Sequence, residues 1–277
     1  MNISASSEAV SVLINFNIQG NLRYLSHAET LQMLRRACGR AELDLEFTHG
    51  FNPRPKISLP FPRPVGVESL NDICCIRIKP ANNPEKLQAA NQSPTASELS
   101  ELKEKLGREL PADCRLLDIK AYPHKKPPQP LGATYLFQLS PTFHPPEKLK
   151  ATIERLMASD RFFISRKTPK KAEATTLDVR KYIKSIYICN EPDLAECRQM
   201  QASPTSKTGI TACNTGIWLC VDYSVTPAGS IRLDEIMQLL DIRPQTINAP
   251  VKRMNIKWKN HLLTSVMSRY TIPASGG

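Results

Sequence analysis

Arg54 and Lys56 flank Pro55 in the stretch GFNPRPKISLPFPRPVGVES, residues 50–69. Residues two apart in an extended chain project on the same side, so this pair offers two cations to adjacent phosphates or to a carboxylate. Phe51, Asn52, Ser58 and Arg63 add a ring, an amide, a hydroxyl and a further cation to the same stretch. Upstream, Arg23 precedes His27, which opens a predicted helix. Backbone amides at such an end favour anions, and a histidine there can contact phosphate or act as a general base. His49, just before the stretch, is the second candidate base. Further on, Arg166, Lys167, Lys170 and Lys171 form a basic turn, and Asp178 with Arg180 reads as a structural ion pair. The binding candidates are thus Arg23, His27, Phe51, Asn52, Arg54, Lys56, Ser58, Arg166, Lys167, Lys170 and Lys171. Their common chemistry is donation to an anionic or polar ligand.

Such donors need a frame. Pro53, Pro55, Pro60, Pro62 and Pro64 each fix φ and remove a backbone donor, which keeps the stretch out of helices and central strands. It reads as a semi-rigid track with Gly50 and Gly66 at its ends. The same prolines equally suit a loop that crosses a sheet edge and packs Ile57, Leu59, Phe61 and Val65 into the core.

Around the track, alternation predicts a strand over 11–18, and Ser26 with Glu29 forms a capping box for a helix reaching about residue 41. Strands follow at 43–47 and 73–78. Residues 84–110 are helical at both ends, and 115–122 is a fourth strand. This β-α-β-β-α-β order is ferredoxin-like. HKKPPQP then breaks the pattern as an extended linker over 124–131. A strand at 134–139 and a helix at 146–158 follow. Strands are expected at 162–166, 175–179, 183–189 and 217–225, a helix at 231–240 and a closing strand at 251–258. The fold expected is α+β, two ferredoxin-like halves (1–123 and 132–270) with antiparallel sheets, and a tail at 271–277. The segment 199–209 and the tail are expected to be mobile.

The composition suits a soluble globular protein: 41% hydrophobic and 23% charged residues in a chain of 277. No apolar run approaches a membrane span, and the N-terminus lacks the basic start of a secretory signal, so a cytoplasmic protein is expected. The net charge of +11 is concentrated. Residues 115–184 carry fifteen basic and six acidic side chains, and 252–269 carry five basic and no acidic ones, whereas 185–251 is net acidic. Clustered cations are the footprint of a polyanion binder, because each neutralised phosphate releases counterions. None of the eight cysteines forms a C-x-x-C pair, so buried free thiols are expected, with no metal and no cofactor. Glycine-rich phosphate loops, G-x-S-x-G and H-E-x-x-H are all missing.

Gly20 to His27 (GNLRYLSH), the helix ending Leu34-Arg35-Arg36-Ala37, Gly50 to Ser58 (GFNPRPKIS) and Pro64 to Ser69 (PVGVES) together resemble the radical SAM-linked protein family of bacteria, a domain of unknown function. The basic strand-turn at 166–171, Asp178 with Arg180, and Arg232-Leu233-Asp234-Glu235 extend the resemblance into the second half. In that family the domain is commonly fused behind, or encoded beside, a cobalamin-binding radical SAM protein. The resemblance therefore implies a separately encoded cobalamin-dependent radical SAM protein as partner. This chain has no cysteine triad for a four-iron cluster, so its expected role is accessory, and no residue inherits a catalytic role.

Two functions are compatible with these residues. One is a non-catalytic module that binds RNA, or a radical SAM partner, and presents RNA to a modifying enzyme. The other is a metal-independent endoribonuclease, similar in layout to the CRISPR RNA-processing proteins, with His27 or His49 as base and Arg54 and Lys56 stabilising the phosphorane. The glycine-rich loop those proteins carry near the C-terminus is missing here. The binding module is the preferred expectation.

Overall fold

In β1, Val10–Ile18, alternate residues Val12, Ile14, Phe16 and Ile18 turn one apolar face toward two helices. The computed structural model describes residues 9–79, 94–166, 175–189 and 216–259. The chain falls into two units, Met1–Gln129 and Pro130–Gly277. It is a mixed α+β protein with four α-helices among the described residues, and every strand pairing within a unit is antiparallel.

In the first unit, β1 lies between β3 (Glu68–Ile78) and β4 (Leu116–Tyr122). The short β2 (Ile57–Ser58) pairs with the far side of β3, giving the order β2-β3-β1-β4. α1 (His27–Arg40) and α2 (Ala96–Glu109) cover one face and bury Leu34, Ala37, Cys38 and Leu106 against β1. Both helices start from reciprocal capping boxes, Ser26 with Glu29 and Thr95 with Glu98, which satisfy amides a helix end leaves bare. Each large aliphatic or aromatic side chain buried here stabilises the unit by about 1.5–3 kcal/mol.

The strand expected over 43–47 does not form. Only isolated bridges, Leu45 to Ile78 and Phe47 to Pro55, remain. Leu43 to Phe47 alternates well enough, but Pro53 and Pro55 supply no amide for a continuous ladder. The chain therefore leaves the sheet edge after residue 46 and returns at residue 56.

In the second unit, β9 (Ile217–Thr226) pairs with β5 (Pro130–Leu139) on one side, and with β8 (Ile183–Cys189) and β10 (Gly229–Ser230) on the other. β11 (Lys252–Trp258) completes the order β8-β9-β5-β11. Tyr135 and Tyr223 stack across the β5–β9 pair with ring centroids 5.0 Å apart. β6 (Phe163–Arg166) and β7 (Thr175–Asp178) form a hairpin of their own outside that sheet. α3 (Pro146–Ala158) has the bounds its pattern predicts, with Pro146 in the first turn where its missing amide costs nothing. α4 (Leu233–Leu239) is shorter than the predicted 231–240.

The α+β class holds, and the two units set their main strands in corresponding order, β2-β3-β1-β4 and β8-β9-β5-β11. The second unit adds the separate two-stranded hairpin, which has no counterpart among the described residues of the first. The expectations for residues 84–93, 199–209 and 271–277 lie outside the described residues. All six described cysteines are buried free thiols. No described helix is long and apolar enough to cross a membrane.

Candidate functional site

Two pieces of the first unit build the site. The first is a knot between the 3-10 turn Gly20–Tyr24 and the end of the proline track. Gly20 has φ +52°, and a Cβ there would stand 2.3 Å from an Asp113 carboxylate oxygen. Only glycine fits, and the neighbouring Asn21 amide then donates to that carboxylate at 3.0 Å. Arg63, at 7% exposure, directs its guanidinium to the carbonyls of Leu22, Arg23, Leu25, Pro64 and Val67. The Gly66 amide adds a bond to the Arg23 carbonyl at 2.8 Å. Arg63 thus holds the knot together and is not a ligand donor.

The second piece is an arm, residues 45–57, standing off the edge of β3. Its legs are joined by the Lys56 amide to the Glu46 carbonyl (2.7 Å) and the Thr48 amide to the Arg54 carbonyl (2.8 Å). The Arg54 amide returns a bond to Thr48 Oγ1 at 3.0 Å. Both legs are anchored to one residue of β3: the Glu46 amide donates to the Arg77 carbonyl, and the Arg77 amide to the Lys56 carbonyl. Glu46 also accepts from Lys56 Nζ and Arg77 Nε. Partial burial works to raise its carboxyl, yet the hydrogen bonds and charges of Arg77 and Lys56 prevail and hold it below the usual carboxylate range. Arg77 further donates to Ser11 Oγ and the Ala9 carbonyl.

Beyond this stem the chain turns through His49, Gly50, Phe51, Asn52 and Pro53. Gly50 takes φ +127°, a conformation open to glycine. Every side chain from Phe47 to Arg54 is exposed. Phe51 is 100% exposed and Phe47 44%. The side chains of His49, Phe51, Asn52 and Arg54 meet no partner among the described residues, so the tip carries a bare ring beside an imidazole, an amide and a guanidinium.

The other predicted residues are placed differently. Lys56 does not stand beside Arg54 as a second ligand cation, because its ammonium is paired with Glu46. Ser58 lies in β2, half-buried. Arg23 donates to the Gly20 carbonyl and the Tyr24 hydroxyl, with its guanidinium 4.3 Å from the Tyr24 ring centroid. His27 is half-buried in the first turn of α1, where the Glu29 carboxylate, held ionised by the Ser26 hydroxyl and amide, already occupies the capping site. Among the described residues no second side chain hydrogen-bonds to His27 or His49. Arg166 makes a bidentate pair with Glu235 (2.6 and 2.7 Å) and donates to the Ser230 carbonyl. Asp178 takes the amides of Phe162 and Arg180, while the Arg180 guanidinium serves the carbonyls of Met157, Ser159 and Ile183. The expected side-chain ion pair between them is thus replaced by two separate sets of main-chain bonds. Lys167, Lys170 and Lys171 lie outside the described residues. Among the described residues no three His, Cys, Asp or Glu side chains are placed to hold a metal ion.

Phe47, Glu46 and Arg77 are not among the residues that the sequence singles out. The turn itself had a signal, Gly50 and Pro53 between Phe47 and Pro55. The carboxylate that locks the stem had none.

A model of an uncharacterised protein family conserved in bacteria, DUF2344, matches residues 12–210. The chain belongs to this family. The knot and the arm of this DUF2344 protein both lie inside the matched span, and the family's description assigns no activity. No curated protein matches the chain.

Proposed function

We propose that this DUF2344 protein is a non-catalytic accessory module that binds RNA through the arm of its first unit. The observation that carries the reading is the tip: Phe51, His49, Asn52 and Arg54 are exposed and without partners, on a stem fixed by Glu46, Lys56 and Arg77. A preset cationic tip with an open ring matches what RNA offers, a phosphate beside a π-face. The clustered charge of residues 115–184 supports the same reading, since it supplies a sequence-independent attraction to phosphate. Resemblance to the radical SAM-linked family supports a destination for the bound RNA, a separately encoded cobalamin-dependent radical SAM protein that modifies it. The order β2-β3-β1-β4, with both helices on one face, also supports a ferredoxin-like reading of the first unit.

The test is retention of total cellular RNA on filters across a salt titration. Arg54→Ala is expected to weaken retention and lower the salt slope by about one, with an unchanged unfolding temperature. Absence of retention at low salt would dispose of the proposal.

A further inference from the structure

Resting on that reading, we propose that Phe51 stacks on an unpaired base, so that the arm selects single-stranded over duplex RNA. A phenyl ring at 100% exposure is an apolar group left wholly in water. Folding gains nothing from it there. It also sits on a defined mount: two legs pinned to Arg77, a left-handed Gly50 and a Pro53 of fixed φ limit where the ring can go. Pre-set geometry reduces the ordering cost of binding.

The surroundings decide the occupant. A protein pocket that takes a phenylalanine is bordered by an apolar contact zone and a wider buried interface. Around Phe51 the neighbours are His49, Asn52, Pro53 and Arg54, all exposed, and the nearest other phenyl ring along the arm is the exposed Phe47. A ring within reach of an amide and a guanidinium suits a nucleotide: the base on the phenyl face, its edge toward Asn52, its phosphate toward Arg54. In an A-form duplex the bases are stacked on one another and the major groove is too narrow for side chains. Phe51 then finds no free face, and only the Arg54 contact survives. The arm becomes a detector of unstacked bases, as in loops, bulges and ends.

The experiment uses the full chain, a short labelled oligouridylate, an oligoadenylate of equal length and a blunt RNA duplex, with anisotropy read across salt. Phe51→Ala is expected to weaken both single strands about tenfold, with the salt slope and duplex affinity unchanged. Phe51→Trp is expected to retain affinity and to show quenching of its added fluorescence by the single strands alone. The unfolding temperature of both variants should match the parent, because the ring touches nothing. Equal affinity of parent and Phe51→Ala for all three probes, with Arg54→Ala still lowering the salt slope, would overturn the stacking and leave the RNA reading standing. No salt-dependent binding of any probe by the parent would overturn both.

Discussion

The arm of the first unit and the β6–β7 hairpin of the second carry cations that look alike in the sequence and are used differently. In the hairpin, Arg166 gives its guanidinium to Glu235 and the Ser230 carbonyl. In the arm, Lys56 is likewise bound to a carboxylate, while the guanidinium of Arg54, two residues earlier, meets no partner among the described residues. The difference teaches that a cation's availability depends on whether the fold brings an acceptor opposite it. Basic spacing alone does not decide this. Glu235 is 69 residues from Arg166, and Glu46 is ten from Lys56. Neither separation announces a pair.

Removing each partner should sharpen that contrast. Arg166→Ala leaves the Glu235 carboxylate, whose side chain is only 7% exposed, without its guanidinium. The expected loss is about 3–5 kcal/mol in urea unfolding, since breaking a buried pair leaves an uncompensated charge. Lys56→Ala should cost no more than about 1 kcal/mol, because its ammonium is a third exposed and Arg77 still holds Glu46. Comparable losses for the two would break the comparison.

A subtler effect concerns pH. The Glu46 carboxyl is held low in the folded state, so the stabilisation it contributes is fully present above its unfolded pKa and fades as pH falls through the lower folded value. Amide exchange at Thr48 and Lys56 should accordingly accelerate, relative to the core amides of β1, as the solution passes below the ordinary carboxylate range. Glu46→Gln should remove that pH step. An unchanged step in the variant would mean that another group locks the stem.

The smallest effect lies in the thiols of the first unit. Burial pushes Cys38 and Cys75 up to about 11 and Cys114 up to about 12, and raises Cys74 as well. They are therefore neutral at pH 8, and only the thiolate reacts. Peptide mapping after iodoacetamide treatment should find all four unmodified in the native protein and labelled in urea. Labelling of any one in the native state would show that the core of this unit opens.

Much of the frame was legible in the sequence because its signals are local. Alternation marks β1, reciprocal Ser26 and Glu29 mark the start of α1, and Pro146 marks the start of α3. The alternation at 43–47 describes a strand and the leg of an arm equally well; the prolines that decide between them lie past the turn. At the site, Phe51, Asn52 and Arg54 could be picked out as track residues. Their separation from Lys56, Arg63 and Arg166 could not, because it depends on partners that the chain supplies from elsewhere.

Arg63 stands for a consequence of building with proline. A segment with five prolines in twenty residues has few amides to give its neighbours, and the carbonyls of the Gly20–Tyr24 turn and the track need donors all the same. One guanidinium provides them through its two terminal nitrogens. The course of the end of the track is thereby tied to one side chain. Even a lysine at position 63 would offer one ammonium where a fan of donors is required.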